Sequence, residues 1–144
     1  MAPMRGSSNA ARGRWTPADL GAFTQAWILL LAADLGLRTL PFARLDRWLA
    51  PRVKGQADEA AVGRLVWATA AAARHHLYPM RCLPQALCLR RLLGRHGIAA
   101  ELKIGVARQD GELAAHAWVE REGRPVGEGL TVDERFATLN SAGV

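Results

Sequence analysis

The stretch RCLPQALCLRRLLGRHGIAAELKIGV, residues 81–106, holds a helix signal followed directly by a strand signal. Pro84 stands in the first turn, and Leu83, Ala86, Leu87, Leu89, Leu92 and Leu93 recur at helical spacing. Gly97, just past His96, supplies the usual exit. Cys82 therefore opens this helix. Beyond Gly97 the period falls to two, with Leu102, Ile104 and Val106 alternating against Glu101, Lys103 and Gly105. A Gln109-Asp110-Gly111 turn leads into a second strand, LAAHAWVE (113–120), and a third, RPVGEGL (124–130), follows Glu122-Gly123. The pattern predicts an α+β fold in which the helix carrying the cysteine packs on a small antiparallel sheet.

Upstream, the chain reads as helical. Thr16, Pro17 and Asp19 form a helix start, with Leu20, Phe23, Trp27, Leu30 and Leu31 on its apolar face and Gly36 as its expected end. Pro41 opens a short helix bearing Phe42, Leu45, Trp48 and Leu49, and Pro51 closes it. Asp58 is positioned to cap a third, whose Val62, Leu65, Val66 and Thr69 lead into an Ala-rich end at His75 and His76. Pro79 marks LYPM (77–80) as an irregular connection. Residues 1–14 lack apolar periodicity and are expected to be a tail, and residues 131–144 are weakly patterned. The predicted organisation is a tail (1–14), a helical region (15–76) and a core (77–144), together one domain.

With 144 residues, half of them hydrophobic, the chain can build one core of ordinary size. The net charge of +6 and a preference for arginine suggest nucleic acid, but no recognition motif accompanies the scattered arginines, so that class is set aside. Five arginines and no acidic residue fall within 73–96, whereas 97–144 carries more acids than bases. The longest strongly apolar run, Ala26–Ala33, lies between Gln25 and Asp34 and is far shorter than the roughly 20 residues of a spanning helix. No membrane insertion is expected. Met1–Arg14 is polar and unlike a secretory signal, so a cytoplasmic location is expected. Cys82 and Cys88 form no CxxC, and no histidine has zinc-finger spacing, so neither metal nor disulfide is expected.

A thiol at a helix N-terminus is stabilised as thiolate by unpaired backbone N–H groups and the helix dipole; Arg81, Arg90 and Arg91 would add to this if they faced it. Cys82 is thus the candidate nucleophile, and Cys88, between Leu87 and Leu89, reads as core filler. His75 and His76 suit a helix C-terminus, and His96 closes the far end of the Cys82 helix. His116, in mid-strand, is the candidate base. A three-residue Arg121–Gly123 loop would set Glu128 directly opposite His116, as an acid orienting the imidazole; a two-residue turn would send Glu128 to the other face. Asp110, Glu112 and Asp133 read as solvated turn acids.

The block 81–106 followed by AAHAWVEREGRPVGEG (114–129), with LPFARLDRWL (40–49) ahead of it, resembles the lasso peptide biosynthesis B2 proteins, leader peptidases with a transglutaminase-like, papain-like core. The resemblance implies Cys82, His116 and Glu128 as catalytic residues, with Glu in place of the family's usual Asp. It also implies a cytoplasmic cysteine peptidase without cofactor that cleaves the leader from a lasso precursor peptide. The implied partners are a leader-binding B1 protein and a macrolactam synthetase. The same Cys/His pair would also serve an acyltransferase, or persist in a non-catalytic precursor-binding scaffold. Apolar surface between Leu20 and Trp48 is a candidate docking patch, and the basic 73–96 stretch a candidate guide for an acidic leader.

Overall fold

The computed structural model describes residues 14–50, 53, 55–127 and 137–139. Four helices, α1 (Pro17–Thr39), α2 (Phe42–Leu49), α3 (Ala61–Arg74) and α4 (Cys82–Arg95), precede β1 (Glu101–Gln109), β2 (Glu112–Arg121), β3 (Arg124–Val126) and β4 (Ala137–Leu139). The strands form one antiparallel sheet in the order β3-β2-β1-β4. The architecture is α+β, with the cysteine helix packed on the sheet as expected. Except for Arg14, the expected tail lies outside the described residues, as does Pro51.

Thr16 and Asp19 start α1 with a reciprocal capping box: the Thr16 hydroxyl accepts from the Asp19 N–H at 3.1 Å, and the Asp19 carboxylate accepts from the Thr16 N–H at 3.0 Å. The predicted face of α1 is met in part: Leu30 is fully buried and Phe23 and Trp27 pack against the core, but Ala22, Ala26 and Ala33 make up the rest of the buried stripe, while Leu20 is 55% exposed. Small side chains let α1 approach α3, where Ala68 and Ala72 face into the same core. Gly36 does not end the helix, which runs three residues further to Thr39. Gly36 is instead where α2 closes on α1: a Cβ there would lie 2.5 Å from Leu45 Cδ1. By length and composition α1 would suffice to cross a membrane, because Asp34 interrupts its apolar run without ending the helix. Trp48 on α2 is 74% exposed, so part of the predicted apolar patch is at the surface.

Asp58 does not cap α3, whose N-cap is Ala60 with no side-chain cap; the Asp58 carbonyl accepts from the Ala61 N–H at 3.1 Å in the turn leading into the helix. The α4 side of the core carries Ala86, Cys88, Leu89, Leu92 and Leu93, packed with α1, α3 and the Ala117 and Val119 side chains of β2. Gly97 leaves α4 at φ +77, as its position predicted.

The turn between β2 and β3 corrects the expected register. Val119 pairs with Val126, Glu120 with Pro125 and Arg121 with Arg124, so the turn is the two-residue Glu122-Gly123. Both take positive φ, 52° and 78°, the conformation of a tight hairpin matching the twist of its strands. Pairing of the strands outweighs the cost at Glu122. This register does not set Glu128 opposite His116. A short strand, β4, lies in the weakly patterned C-terminal segment, its three residues too few to show a period.

Candidate active site

Cys82 is half-buried at the start of α4, with Arg81 in extended conformation before it. No side chain caps this helix end, and Pro84 lacks an N–H, so the first-turn backbone donors are those of Cys82 and Leu83. That arrangement can meet a developing oxyanion. Of the predicted flanking charges, Arg90 is taken up elsewhere: it is buried and pairs with Asp46 of α2 at 2.5 Å. Arg81 remains at the helix mouth. Cys88 fits the filler reading. It is 1% exposed, its S–H points to the Ala26 carbonyl at 3.6 Å, and burial pushes its thiol up to about 12.

His116 is half-buried on β2, paired across the sheet with Gly105 of β1. Alternation sends Ala117 and Val119 into the helix-covered core and His116 and Trp118 to the opposite face. There the two rings stack at 5.9 Å between centroids, with an interplanar angle of 18°. Trp118 is buried and its indole N–H donates to the Glu120 carboxylate at 2.8 Å. Residues from both faces of β2, His116 and Trp118 on one and Ala117 and Val119 on the other, line a single cleft of about 200 Å³ together with Cys82 and Gln85 of α4. Two of the three predicted residues, Cys82 and His116, are thus brought to one cleft. Glu128 lies outside the described residues. No grouping of three or more His, Cys, Asp or Glu suited to a metal occurs among the described residues.

A family model for the transglutaminase-like superfamily matches residues 27–141. The chain belongs to this superfamily. Cysteine-dependent enzymes are frequent in it, and the match takes in most of α1 as well as the helix and strands around Cys82. No curated protein and no solved structure shows significant similarity to this transglutaminase-like chain.

Three supports of the transglutaminase-like site escaped sequence reading, all in the connector 75–81. Tyr78 donates its hydroxyl to Asp34 of α1 at 2.5 Å, and Arg38 pairs with the same carboxylate at 3.0 Å. The His76 ring stacks on Trp27 at 4.3 Å and contacts the Trp27 carbonyl through Nε2 at 3.0 Å, so Nε2 carries the proton. The Gln85 side-chain amide donates to the Met80 carbonyl at 3.0 Å, tying the connector to α4 one turn after Cys82. One signal was available: a carboxylate set in an apolar helix face, as Asp34 is, needs a buried partner.

The Tyr78 hydroxyl foremost, and then Arg38, hold the Asp34 carboxyl below its usual range despite burial. A depressed carboxyl stabilises the fold above the unfolded value near 3.8, and this stability is lost as pH falls through the lower folded value. Asp34→Asn should therefore lower stability at neutral pH, with the gap from the unsubstituted chain closing as pH drops below about 4. Urea unfolding across a pH series reads the gap directly, and a pH-independent gap would assign Asp34 no electrostatic role.

Proposed function

We propose that this transglutaminase-like chain is a cysteine peptidase that removes the leader from a lasso precursor peptide, leaving the core peptide for macrolactam closure. The observation that carries the reading is that Cys82, at the uncapped N-terminus of a core helix, and His116, on the strand packed beside it, share one cleft. The thiolate of Cys82 attacks the scissile carbonyl, and the oxyanion is met by backbone N–H groups at the α4 start. Imidazolium at His116 protonates the departing amine, so the C–N bond breaks as a thioester remains on Cys82. Water, deprotonated by the same imidazole, then hydrolyses the thioester. Glu128 is proposed as the orienting acid. Cys88 takes no part, because burial keeps its thiol protonated.

The proposed partners are the precursor, a leader-binding B1 protein and a macrolactam synthetase, all acting in the cytoplasm. Mixing the purified chain with precursor and leader-binding protein and reading masses tests the proposal. Separate leader and core masses are expected. A covalent adduct to an amine would instead indicate acyl transfer, and intact peptide bound without change would indicate a scaffold.

A further inference from the structure

Beside the Cys82 cleft lies a second, wider one of about 580 Å³, lined by Arg74, His76, Tyr78 and Met80 among others. The two clefts share Ala70 and Gln85, so a chain leaving the thiol can pass directly from one to the other. The volume is within the roughly 300–1,000 Å³ of sites that hold ligands.

The wall of this second cleft is held in place at three points. Tyr78 is fixed by Asp34, His76 by its stack and contact on Trp27, and Met80 by the Gln85 amide. Such a surface binds without first being ordered, which removes one of the main costs of association. Its charge is one-sided. No Asp or Glu lines it, and Arg74, exposed at the C-terminal end of α3, forms no ion pair among the described residues. Arg81, also exposed, stands at the neighbouring α4 mouth. The nearby carboxylate of Asp34 is already occupied by Tyr78 and Arg38. Met80, Leu77 and Pro79 give the remaining lining an apolar character.

We propose that this cleft binds the peptide substrate to one side of its scissile bond, as an extended segment that sets an acidic side chain against Arg74 and apolar side chains along the connector. The proposal rests on the peptidase reading for what the bound chain is, but binding can be measured without turnover. Continuity with the Cys82 cleft and an unopposed cation over apolar walls together select an acidic, partly apolar peptide over a basic one.

The test uses the full chain with Cys82→Ala and two fluorescein-labelled peptides of identical apolar sequence, one with Asp and Glu at the polar positions, the other with Lys. Fluorescence anisotropy should show the acidic peptide binding about tenfold or more tighter, with the difference shrinking as salt is raised. Arg74→Glu should abolish or reverse that preference. Arg95→Glu, an equal change of charge at the distant end of α4, should leave it in place, and so should Arg108→Glu on β1. Equal affinity for both peptides, binding of neither, or equal sensitivity to all three charge reversals would overturn the proposal. The two readings fail separately. Acidic-peptide binding that depends on Arg74, in a chain that cleaves no precursor, would sink the peptidase and spare the cleft. Cleavage with a KM indifferent to Arg74→Glu, together with equal peptide affinities, would do the reverse.

Discussion

On the proposed peptidase reading, Cys82→Ala should lower precursor cleavage by about 10⁴-fold or more, the scale of loss when the nucleophile of a coupled catalytic set is removed. His116→Ala should do the same, and the double variant should be no worse than either single one, because the two would act as a unit. Cys88→Ala should leave cleavage intact. Its cost falls on the fold, where removing a buried sulfur from the core loses roughly 1 kcal/mol. Mass spectrometry of the products at fixed enzyme concentration separates these outcomes, and activity that survives in Cys82→Ala but not in Cys88→Ala would reverse the assignment. Glu128→Gln is expected to give a partial loss, and Asp133→Asn none.

The second large effect concerns stability. Gly97 leaves α4 at φ +77, and a Cβ there would lie 2.3 Å from the Gln56 carbonyl oxygen. Gln56 belongs to the segment that returns to α4, where the Asp58 N–H donates to the His96 carbonyl at 2.9 Å. A side chain at position 97 must therefore take a strained backbone and push against main chain that cannot swing aside. Gly97→Val should cost about 3 kcal/mol and lower Tm by roughly 10 °C. Gly111 provides the control. Its φ is +83, but a Cβ would meet nothing within 4 Å, so Gly111→Ala should cost only the conformational strain, about 1 kcal/mol. Thermal unfolding followed by circular dichroism compares the two, and equal losses would show that contact with Gln56 contributes nothing.

Elements announced by local chemistry were legible in the sequence. Pro84 and Gly97 bracket α4, Thr16 and Asp19 start α1, and the alternation from Glu101 gives β1, because each signal needs only a few neighbouring residues. The thiol at the helix start and the histidine in mid-strand were legible for the same reason. Features set by long-range contact were not. Beside Leu30 the buried stripe of α1 is alanine, which no hydrophobic count ranks above Leu20, and it is selected by how closely α3 can approach. Gly36 reads as a stop until Leu45 is seen to occupy the space it leaves. The turn at Glu122 was misjudged because a non-glycine residue at positive φ is locally unfavourable, and only the pairing of β2 with β3 compensates it. The second cleft was invisible for a related cause. Its wall is an irregular connector, and what holds it is a carboxylate more than forty residues away.

The alanine stripe of α1 also bears on how the chain matures during synthesis. Every element that shelters this stripe lies later in the chain, and α4, the last of the sheltering helices, ends at Arg95. A ribosome adding about 5–20 residues per second leaves α1 incompletely covered for several seconds before that helix emerges. Until then a segment apolar and long enough to span a membrane is covered at most by α2 and α3, and its shelter is completed only when α4 packs on it.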